Sequence, residues 1–376
     1  MQPIAYLGLA IILLVLLEAF ETVVLPRRVT RWFRLTRLYY VCTWQPWKWI
    51  ARQIKGTRQR ETFLSFYGPL SLLVLFALWG ASLLVGFALL YYGNEAHDPT
   101  RPSLAMCFYL SGTTLFTLGI GDVTPHTPIE RVLTVFESGL GLGFLALVIS
   151  YLPVIYSAFS RREVSIVLLD ARAGSPPTAA ELLRRHNGPH GMEALRQLFV
   201  DWERWSAELL ESHISYPVVA YFRSQHSNES WLAALTAILD ATALIVATSD
   251  TPCSRQAKLT FAMCRHTIVD LSQVFHAIPN NKDPDRLPPA DLARLRASLD
   301  KCGYQLREDD VSTEKLHELR RMYEPYLHAL ARYLFVSLPP WILEKKITDN
   351  WKTSAWGKIS GIASHSSTTV YADDHF

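Results

Sequence analysis

Charged residues are missing from long parts of this sequence. Thr62 to Asn94 contains no Lys, Arg, Asp or Glu, and Val132 to Ser160 contains only Glu137. A third apolar stretch runs from Ile4 to Leu25. Because each stretch is long enough to cross about 30 Å of hydrocarbon, the lack of charge excludes a wholly soluble protein. It predicts three transmembrane helices in a multi-pass protein of the plasma membrane, or of the inner membrane in a bacterium.

Acidic residues are absent between Arg27 and Arg60, although ten basic residues occur there. By the positive-inside rule this segment is expected in the cytoplasm. The segment Tyr92 to Pro102 carries Arg101 as its only basic residue, as an external loop should. The N-terminus is therefore predicted outside, and everything after Arg161 in the cytoplasm. Two acids of the first span, Glu18 and Glu21, are expected to pair with the basic segment.

Motifs of common enzymes and ligand-binding domains are also missing. No Gly-x-Gly-x-x-Gly follows a strand pattern, and no nucleophile elbow surrounds a serine, which argues against dinucleotide-binding and hydrolase domains. The histidines and cysteines show no metal-ligand spacing. No pair of cysteines is predicted to face an oxidising compartment, so no disulfide is expected. The sequence therefore predicts neither an enzyme nor a bound cofactor.

Aromatic residues alternate with the cations of the basic segment, from Trp32 to Trp49. Such a mixture suits stacking on nucleic acid or contact with a membrane surface. Because the segment lies between two apolar spans, we expect an interfacial helix, broken at Pro46, on anionic lipid headgroups. No nucleic acid partner is expected.

The hexamer Thr117-Leu118-Gly119-Ile120-Gly121-Asp122 lies between the second and third apolar stretches. In a potassium pore, stacked backbone carbonyls replace the hydration shell of the ion. Such a stack needs backbone angles that alternate with the left-handed region, which glycines enter freely. The hexamer is therefore predicted to bind the permeant cation, with Thr117 adding a side-chain oxygen.

This region, from about Phe66 to Tyr156, resembles the pore of the potassium-channel family, in its prokaryotic two-transmembrane form with a pore loop. The resemblance places a pore helix at Ser103 to Phe116, after the start signal Pro102. It also implies that Asp122 closes the filter. The extra N-terminal helix and a helical cytoplasmic domain are additions to this pattern.

The resemblance implies a passive, potassium-selective channel that works as a homotetramer, because one chain supplies one pore loop. Leu118 and Ile120 depart from the usual Val and Tyr of the family. Ile120 has no hydroxyl to brace the filter, so a poorly selective cation channel is an alternative. A membrane-anchored sensor or enzyme with a vestigial pore is another.

Three positions of the inner helix are candidates for supporting or gating the pore. Glu137 is predicted to support the filter from behind, or else to lie at the interface near Arg131. Gly141 falls on the position of the family's hinge glycine. Pro153 removes a backbone hydrogen bond, so the gate is predicted at 150–157. Close helix packing is the alternative explanation for the neighbouring glycines.

We expect an all-α fold with five parts. These are an N-terminal transmembrane helix (1–26), a basic aromatic linker (27–61), the pore domain (62–160), a cytoplasmic helical domain (161–359) and a disordered tail (360–376). A strand or the frayed end of the inner helix is expected at Glu163 to Leu169. Six helices are expected after it: Ala179 to His186, Met192 to His213, Glu229 to Thr248, Arg255 to Ile278, Ala290 to Lys301 and Thr313 to Leu338.

Gating through the helical domain by an unidentified cytoplasmic ligand, or by lipid, is a hypothesis. The polar cluster Tyr221 to His226 is one candidate for lining its pocket. The alternative is a solvated loop before a helix that is capped by Asn228. The sequence leaves the gating stimulus open.

Overall fold

The computed structural model describes residues 3–25, 34–94, 102–188, 190–225, 229–249, 251–280 and 283–343. All regular elements within these ranges are helices, so the predicted all-α fold is confirmed. The chain forms two compact units. The first comprises Met1–Phe159 and Ile214–Phe222, and the second comprises Ser160–His213 and Arg223–Phe376. The first boundary lies next to the predicted end of the pore domain, but the assignment of Ile214–Phe222 to the first unit was not foreseen.

The first unit contains the helices of the N-terminal part of the chain. They are α1 (Pro3–Ala19), which continues as a π-helical turn (Phe20–Val24), α2 (Leu35–Gln53), α3 (Thr57–Ser65), α4 (Tyr67–Asn94), α5 (Leu104–Leu115) and the beginning of α6 (Pro128–Ala173). α5 begins as predicted, because the Ser103 side chain accepts a hydrogen bond from the backbone N–H of Met106 at 3.3 Å.

The N-terminal helix packs directly on the outer pore helix through small residues. A Cβ added at Gly8 of α1 would lie 2.4 Å from the carbonyl oxygen of Gly86 in α4. One turn nearer the start of α1, Ala5 would lie 2.7 Å from a Cβ added at Gly93 of α4. Close backbone approach through glycine and alanine is a typical way for helices to associate in lipid. α1 is therefore an integral part of the first unit.

The predicted break of the interfacial helix at Pro46 is wrong, because α2 runs through this residue. Proline deletes one backbone hydrogen bond, but packing on both sides keeps the helix continuous. Trp44 is buried against Tyr67, with ring centroids 4.7 Å apart, and Trp47 stacks on Phe63 at 4.5 Å. Tertiary contacts of large rings thus outweigh the local effect of one proline.

Glu18 caps the beginning of α2. Its carboxylate accepts hydrogen bonds from the backbone N–H groups of Leu35 and Thr36, both at 3.1 Å, and from the Thr36 hydroxyl at 2.9 Å. These N–H groups have no partner inside their own helix, and a negative charge is favourable at this helix end. Glu21 lies 4.0 Å from Arg34, so the predicted pairing with the basic segment is confirmed for this acid.

The second unit is a bundle around one buried helix. It contains the end of α6, α7 (Ala179–Arg185), α8 (Gly191–Ser215), α9 (Trp231–Thr248), α10 (Ser254–Val274), α11 (Pro289–Lys301), α12 (Asp310–Arg321) and α13 (Glu324–Leu334). The strand alternative for Glu163 to Leu169 is wrong, since these residues continue α6. The single helix expected over Thr313 to Leu338 is also wrong, because Tyr323 leaves helical geometry and a new helix begins at Glu324, with Pro325 in its first turn.

Among the described residues, four helical stretches are long and apolar enough to cross a membrane: Pro3–Val24, Thr57–Asn94, Pro128–Ala173 and Trp231–Thr248. The last is α9, and 94% of it is buried within the protein. Asp240 in its centre accepts a hydrogen bond from Tyr323 at 2.7 Å and pairs with Arg286 at 2.6 Å. Since its surroundings are protein side chains and a buried ion pair, α9 is the core helix of the second unit.

Candidate ion-conduction site

Every second residue of the filter hexamer adopts left-handed backbone geometry. The φ angles are 57° at Thr117, 57° at Gly119 and 82° at Gly121, whereas Leu118 and Ile120 have negative φ. This is the alternation that a stack of carbonyls along one line needs. Two of the three left-handed positions are glycines, as the sequence predicts. Thr117 is the exception, and its strain must be offset by its surroundings.

The inner end of the filter is tied to the pore helix. The backbone N–H of Thr117 donates to the carbonyl of Thr114 at 3.0 Å. The N–H groups of Leu118 and Gly119 both donate to the carbonyl of Thr113, at 2.8 and 3.3 Å. These bonds satisfy carbonyls at the end of α5 that lack helical partners. They also hold Thr117 in its strained conformation.

The outer end of the filter has a brace that sequence reasoning missed. The hydroxyl of Tyr109 in the pore helix donates to the carboxylate of Asp122 at 2.9 Å. Ile120 itself has no hydroxyl and leaves its side chain 60% exposed. The bracing contact therefore comes from the pore helix to Asp122 rather than from Ile120. Tyr109, the one tyrosine of the pore helix, was the signal that could have indicated it.

Glu137 lies completely buried behind the pore helix, with none of its surface exposed. Its carboxylate accepts hydrogen bonds from Tyr91 of α4 at 2.7 Å and from Ser111 of α5 at 2.5 Å. One acid thus joins the outer, pore and inner helices. Arg131 is exposed at the start of α6, so the geometry favours filter support over a place at the interface.

Removing either donor from Glu137 should weaken the attachment of the pore helix. Tyr91→Phe and Ser111→Ala each leave the buried carboxylate one hydrogen bond short, at a cost of about 1 to 3 kcal/mol. We expect a lower melting temperature in detergent for both variants. Thr134→Val is the control, because Thr134 contacts the same Tyr91 hydroxyl without touching Glu137. A melting temperature unchanged in both donor variants would contradict the supporting role.

A second residue missed by sequence reasoning, Glu130, caps the inner helix. Its carboxylate accepts hydrogen bonds from the N–H groups of His126 and Thr127, at 3.0 and 3.3 Å. In return, the N–H of Glu130 donates to the Thr127 hydroxyl at 3.2 Å. The sequence Thr-Pro-Ile-Glu is a capping box, so this signal was readable. It fixes where α6 begins behind the outer mouth.

Gly141 touches the end of the pore helix. A Cβ added there would lie 1.9 Å from the carbonyl oxygen of Leu115, two residues before the filter. In contrast, a Cβ on Gly139 or Gly143 would have no neighbour within 4 Å among the described residues. Close packing therefore explains Gly141, whereas it was expected for its neighbours. The hinge role of Gly141 stays a prediction.

Large parts of the inner helix are not covered by their own chain. Val135, Leu142 and Ile149 are each more than half exposed, and only 11% of the apolar part of α6 is buried. In the outer-helix stretch the buried share is 50%. An apolar helix with so little cover must face lipid, a cavity or other copies of the chain. Of the four apolar stretches in the described residues, the one in α6 has the smallest buried share.

The stretch predicted as the gate, 150–157, lies within one continuous helix. α6 includes Pro153 and extends to Ala173 without an interruption. The helix thus continues beyond 160, the predicted end of the pore domain. Arg162 is buried there and pairs with Glu163 at 2.9 Å.

His213 at the end of α8 is a buried histidine beside this arginine. Its Nδ1 lies 2.9 Å from the carbonyl of Leu209, and its Nε2 lies 3.4 Å from the guanidinium of Arg162. Its ring also packs on Trp231, with centroids 5.1 Å apart. A neutral imidazole can donate to Leu209 and accept from Arg162 at once. Burial, and next the charge of Arg162, hold the pKa of His213 well below its ordinary value.

The second unit should therefore lose stability in mild acid. Above about pH 6.5, His213 is neutral in the folded and unfolded states alike, and below it only the unfolded state readily takes a proton. The free energy of unfolding should fall by up to about 1.4 kcal/mol per pH unit in this window. We expect His213→Gln to lose less stability than the wild type between pH 7.5 and 5.5 in urea titrations. An equal loss would contradict this prediction.

The polar cluster predicted to line a pocket is divided by the structure. Tyr221 and Phe222 are buried in the first unit, whereas Arg223 belongs to the second. His226 and Asn228 lie outside the described residues, and Ser230 caps α9, which begins at Trp231. The second unit has an open surface depression of about 680 Å³, lined by Arg286, His328, Phe335 and Pro339 among others.

Comparison with known proteins supports an ion channel. The family model described as "Ion channel" matches residues 72–157. YdjJ, an uncharacterized membrane protein of Bacillus subtilis (strain 168), is 24% identical over 281 residues, which cover 72% of this chain and 80% of that protein. No solved structure matches. The resemblance of this region to the pore-loop channel family is thereby confirmed, and the similarity to YdjJ extends beyond the pore.

Proposed function

We propose that this protein is a potassium-selective channel that conducts passively through Thr117–Asp122. The observation that carries the proposal is the left-handed geometry of Thr117, Gly119 and Gly121, in a loop bracketed by a pore helix and two membrane-spanning helices. A turn in a globular protein has no need for three alternating left-handed positions. Conduction through backbone carbonyls needs no catalytic residue and no cofactor beyond the permeant ion.

The working unit that we propose is a homotetramer. A chain contributes one hexamer, and an ion enclosed by carbonyls on all sides needs four. The uncovered apolar residues of α6 and the exposed Leu118 and Ile120 side chains support the presence of further subunits. Closed rotational symmetry is the usual way for identical chains to surround an axis.

Potassium selectivity depends on how firmly the loop holds its shape. The loss of the filter tyrosine at Ile120 favours the less selective alternative. The contact between Tyr109 and Asp122, together with the Thr113 carbonyl bonds, favours selectivity because it holds both ends of the loop. We propose that these contacts compensate for Ile120.

Flux from liposomes tests conduction against the competing functions. Purified protein in potassium-loaded liposomes should release potassium down its gradient, and its native mass in detergent should be that of four chains. Release with equal permeability to sodium would favour the poorly selective channel. Intact protein that releases no ion, or that is only monomeric or dimeric, would favour a membrane-anchored sensor or enzyme.

A further inference from the structure

A short part of the helical domain belongs to the membrane unit. Ile214–Phe222 lie in the first unit, although the residues before and after them lie in the second. We call these residues the return segment. It consists of the end of α8 and a 3₁₀-helix, Pro217–Tyr221, which begins with proline. Val219 in this turn is fully buried, so the segment is packed into the first unit rather than lying on its surface.

Tyr221 of the return segment is surrounded by rings of α2 and α4. It stacks on Tyr40 with centroids 5.6 Å apart and ring planes within 9° of parallel. Trp44 and Tyr67 contact it at 5.1 and 5.2 Å in edge-on geometry. Aromatic pairs in these geometries are stabilising beyond the area they bury. The C-terminal part of the return segment is therefore firmly attached to α2.

Phe222 attaches the same segment to the inner helix. Its ring lies 5.8 Å from Tyr156 and 5.5 Å from Phe159 of α6. On its other side, a Cβ added at Gly68 of α4 would lie 2.7 Å from the Phe222 ring. The ring is thus held between the outer and inner helices.

The return segment also contacts α6 on the opposite side of its proline. Tyr216 packs edge-on against Tyr151, with centroids 5.7 Å apart. Tyr151 precedes Pro153, whereas Tyr156 follows it. Because proline deletes a backbone hydrogen bond, this is where α6 bends at the lowest cost. The return segment therefore holds both sides of the weakest point of the inner helix.

Both ends of the return segment are anchored in the second unit. At the first end, His213 is buried beside Arg162. At the other end, Arg223 donates to the carbonyls of Leu334 and Phe335 at the end of α13, at 2.6 and 3.1 Å. A change in the second unit that moves either anchor must pull on the segment between them.

We propose that the return segment is a gating lever, through which the second unit controls the bend of α6 at Pro153. This deepens the proposed conduction and rests on it. The lever acts in parallel with α6 itself, which continues directly from the pore into the second unit. The same connection is broken when the return segment loses its ring contacts with α6, or when Arg223 loses its hydrogen bonds to the end of α13.

Two substitutions test the lever, one where it contacts α6 and one where it is bound to the second unit. Phe222→Ala removes the ring contacts with α6, and Arg223→Ala removes the hydrogen bonds to the end of α13. Their controls are Phe66→Ala and Arg321→Ala, which alter exposed residues of the same types. The readouts are the ratio of open to closed times in planar bilayers and the hydrogen exchange of amides 154–159.

We expect each lever variant to change the ratio of open to closed times by about fivefold or more, in the same direction, because Phe222→Ala loses aromatic contacts and Arg223→Ala loses two hydrogen bonds. The double variant should change it no further than the stronger single variant, since both break one connection. Selectivity should stay the same, exchange at 154–159 should become faster, and both controls should match the wild type.

Unchanged ratios and exchange in both lever variants, or effects that simply add in the double variant, would overturn the lever. A wild type that carries no current would instead contradict the proposed conduction. The exchange measurement still decides on the lever in that case, because it needs no ion flow. Faster exchange in both lever variants supports the connection, and unchanged exchange refutes it.

Discussion

Gly141→Ala is expected to abolish potassium current and to lower the melting temperature. The new Cβ would lie 1.9 Å from the carbonyl oxygen of Leu115, far inside any tolerable contact. The pore helix and α6 must then move apart, and overpacking of this kind costs about 1 to 3 kcal/mol in each subunit. Because Leu115 precedes Thr117 by two residues, the displacement reaches the filter directly. Bilayer recordings and thermal denaturation in detergent measure the two effects.

Gly139→Ala and Gly143→Ala are the matched controls for this experiment. They make the same chemical change on the same helix, where the added Cβ meets nothing within 4 Å among the described residues. Alanine is favoured over glycine inside a helix by about 0.5 to 1 kcal/mol, so neither control should weaken the packing of α6 on the pore helix. Normal current in Gly141→Ala would show that α5 and α6 do not pack as described. Altered gating with an unchanged melting temperature would instead favour the hinge role.

Gly119→Ala should also abolish current, but for a different physical reason. No described atom of the same chain lies within 4 Å of the position of its Cβ, so the chain's own packing causes no clash. The cost comes from the backbone, because φ at Gly119 is 57° and an L-residue pays about 1 to 2 kcal/mol in this region. In a tetramer the cost is about 4 to 8 kcal/mol, enough for the loop to leave its conducting shape.

The filter variant should still fold and assemble. Its melting temperature and native mass should stay close to those of the wild type, because the hexamer contributes little to the core. The Gly143→Ala protein is again the control for conduction. Normal potassium current through Gly119→Ala would mean that the left-handed geometry is not needed, and the proposed ion path through this loop would then be wrong.

The membrane helices and the filter geometry could be predicted from sequence because local features determine them. A long stretch without charge predicts a span, Ser103 after Pro102 marks the start of the pore helix, and paired glycines indicate left-handed positions. Glu137 could be predicted as a supporting residue because it is the single charged residue of its span. The structure adds which hydroxyls bind it.

The errors and omissions involve contacts between residues that are distant in the chain. Pro46 was expected to break α2, since the ring packing that keeps this helix continuous is invisible to local patterns. The bracing of Asp122 by Tyr109 depends on how the loop folds back on its own helix. The return segment has no periodic signature, because what defines it is its attachment to the first unit. Such pairings follow from tertiary packing rather than from propensity.

The reversal potential of wild-type channels in planar bilayers, with potassium on one side and sodium on the other, tests the central claim most directly. If the alternating backbone of Thr117 to Gly121 coordinates dehydrated potassium, the potential should lie far from zero, with the sign that potassium preference dictates. Barium should block this current from the same sites. A reversal potential near zero, from channels that conduct both ions, would contradict potassium selectivity.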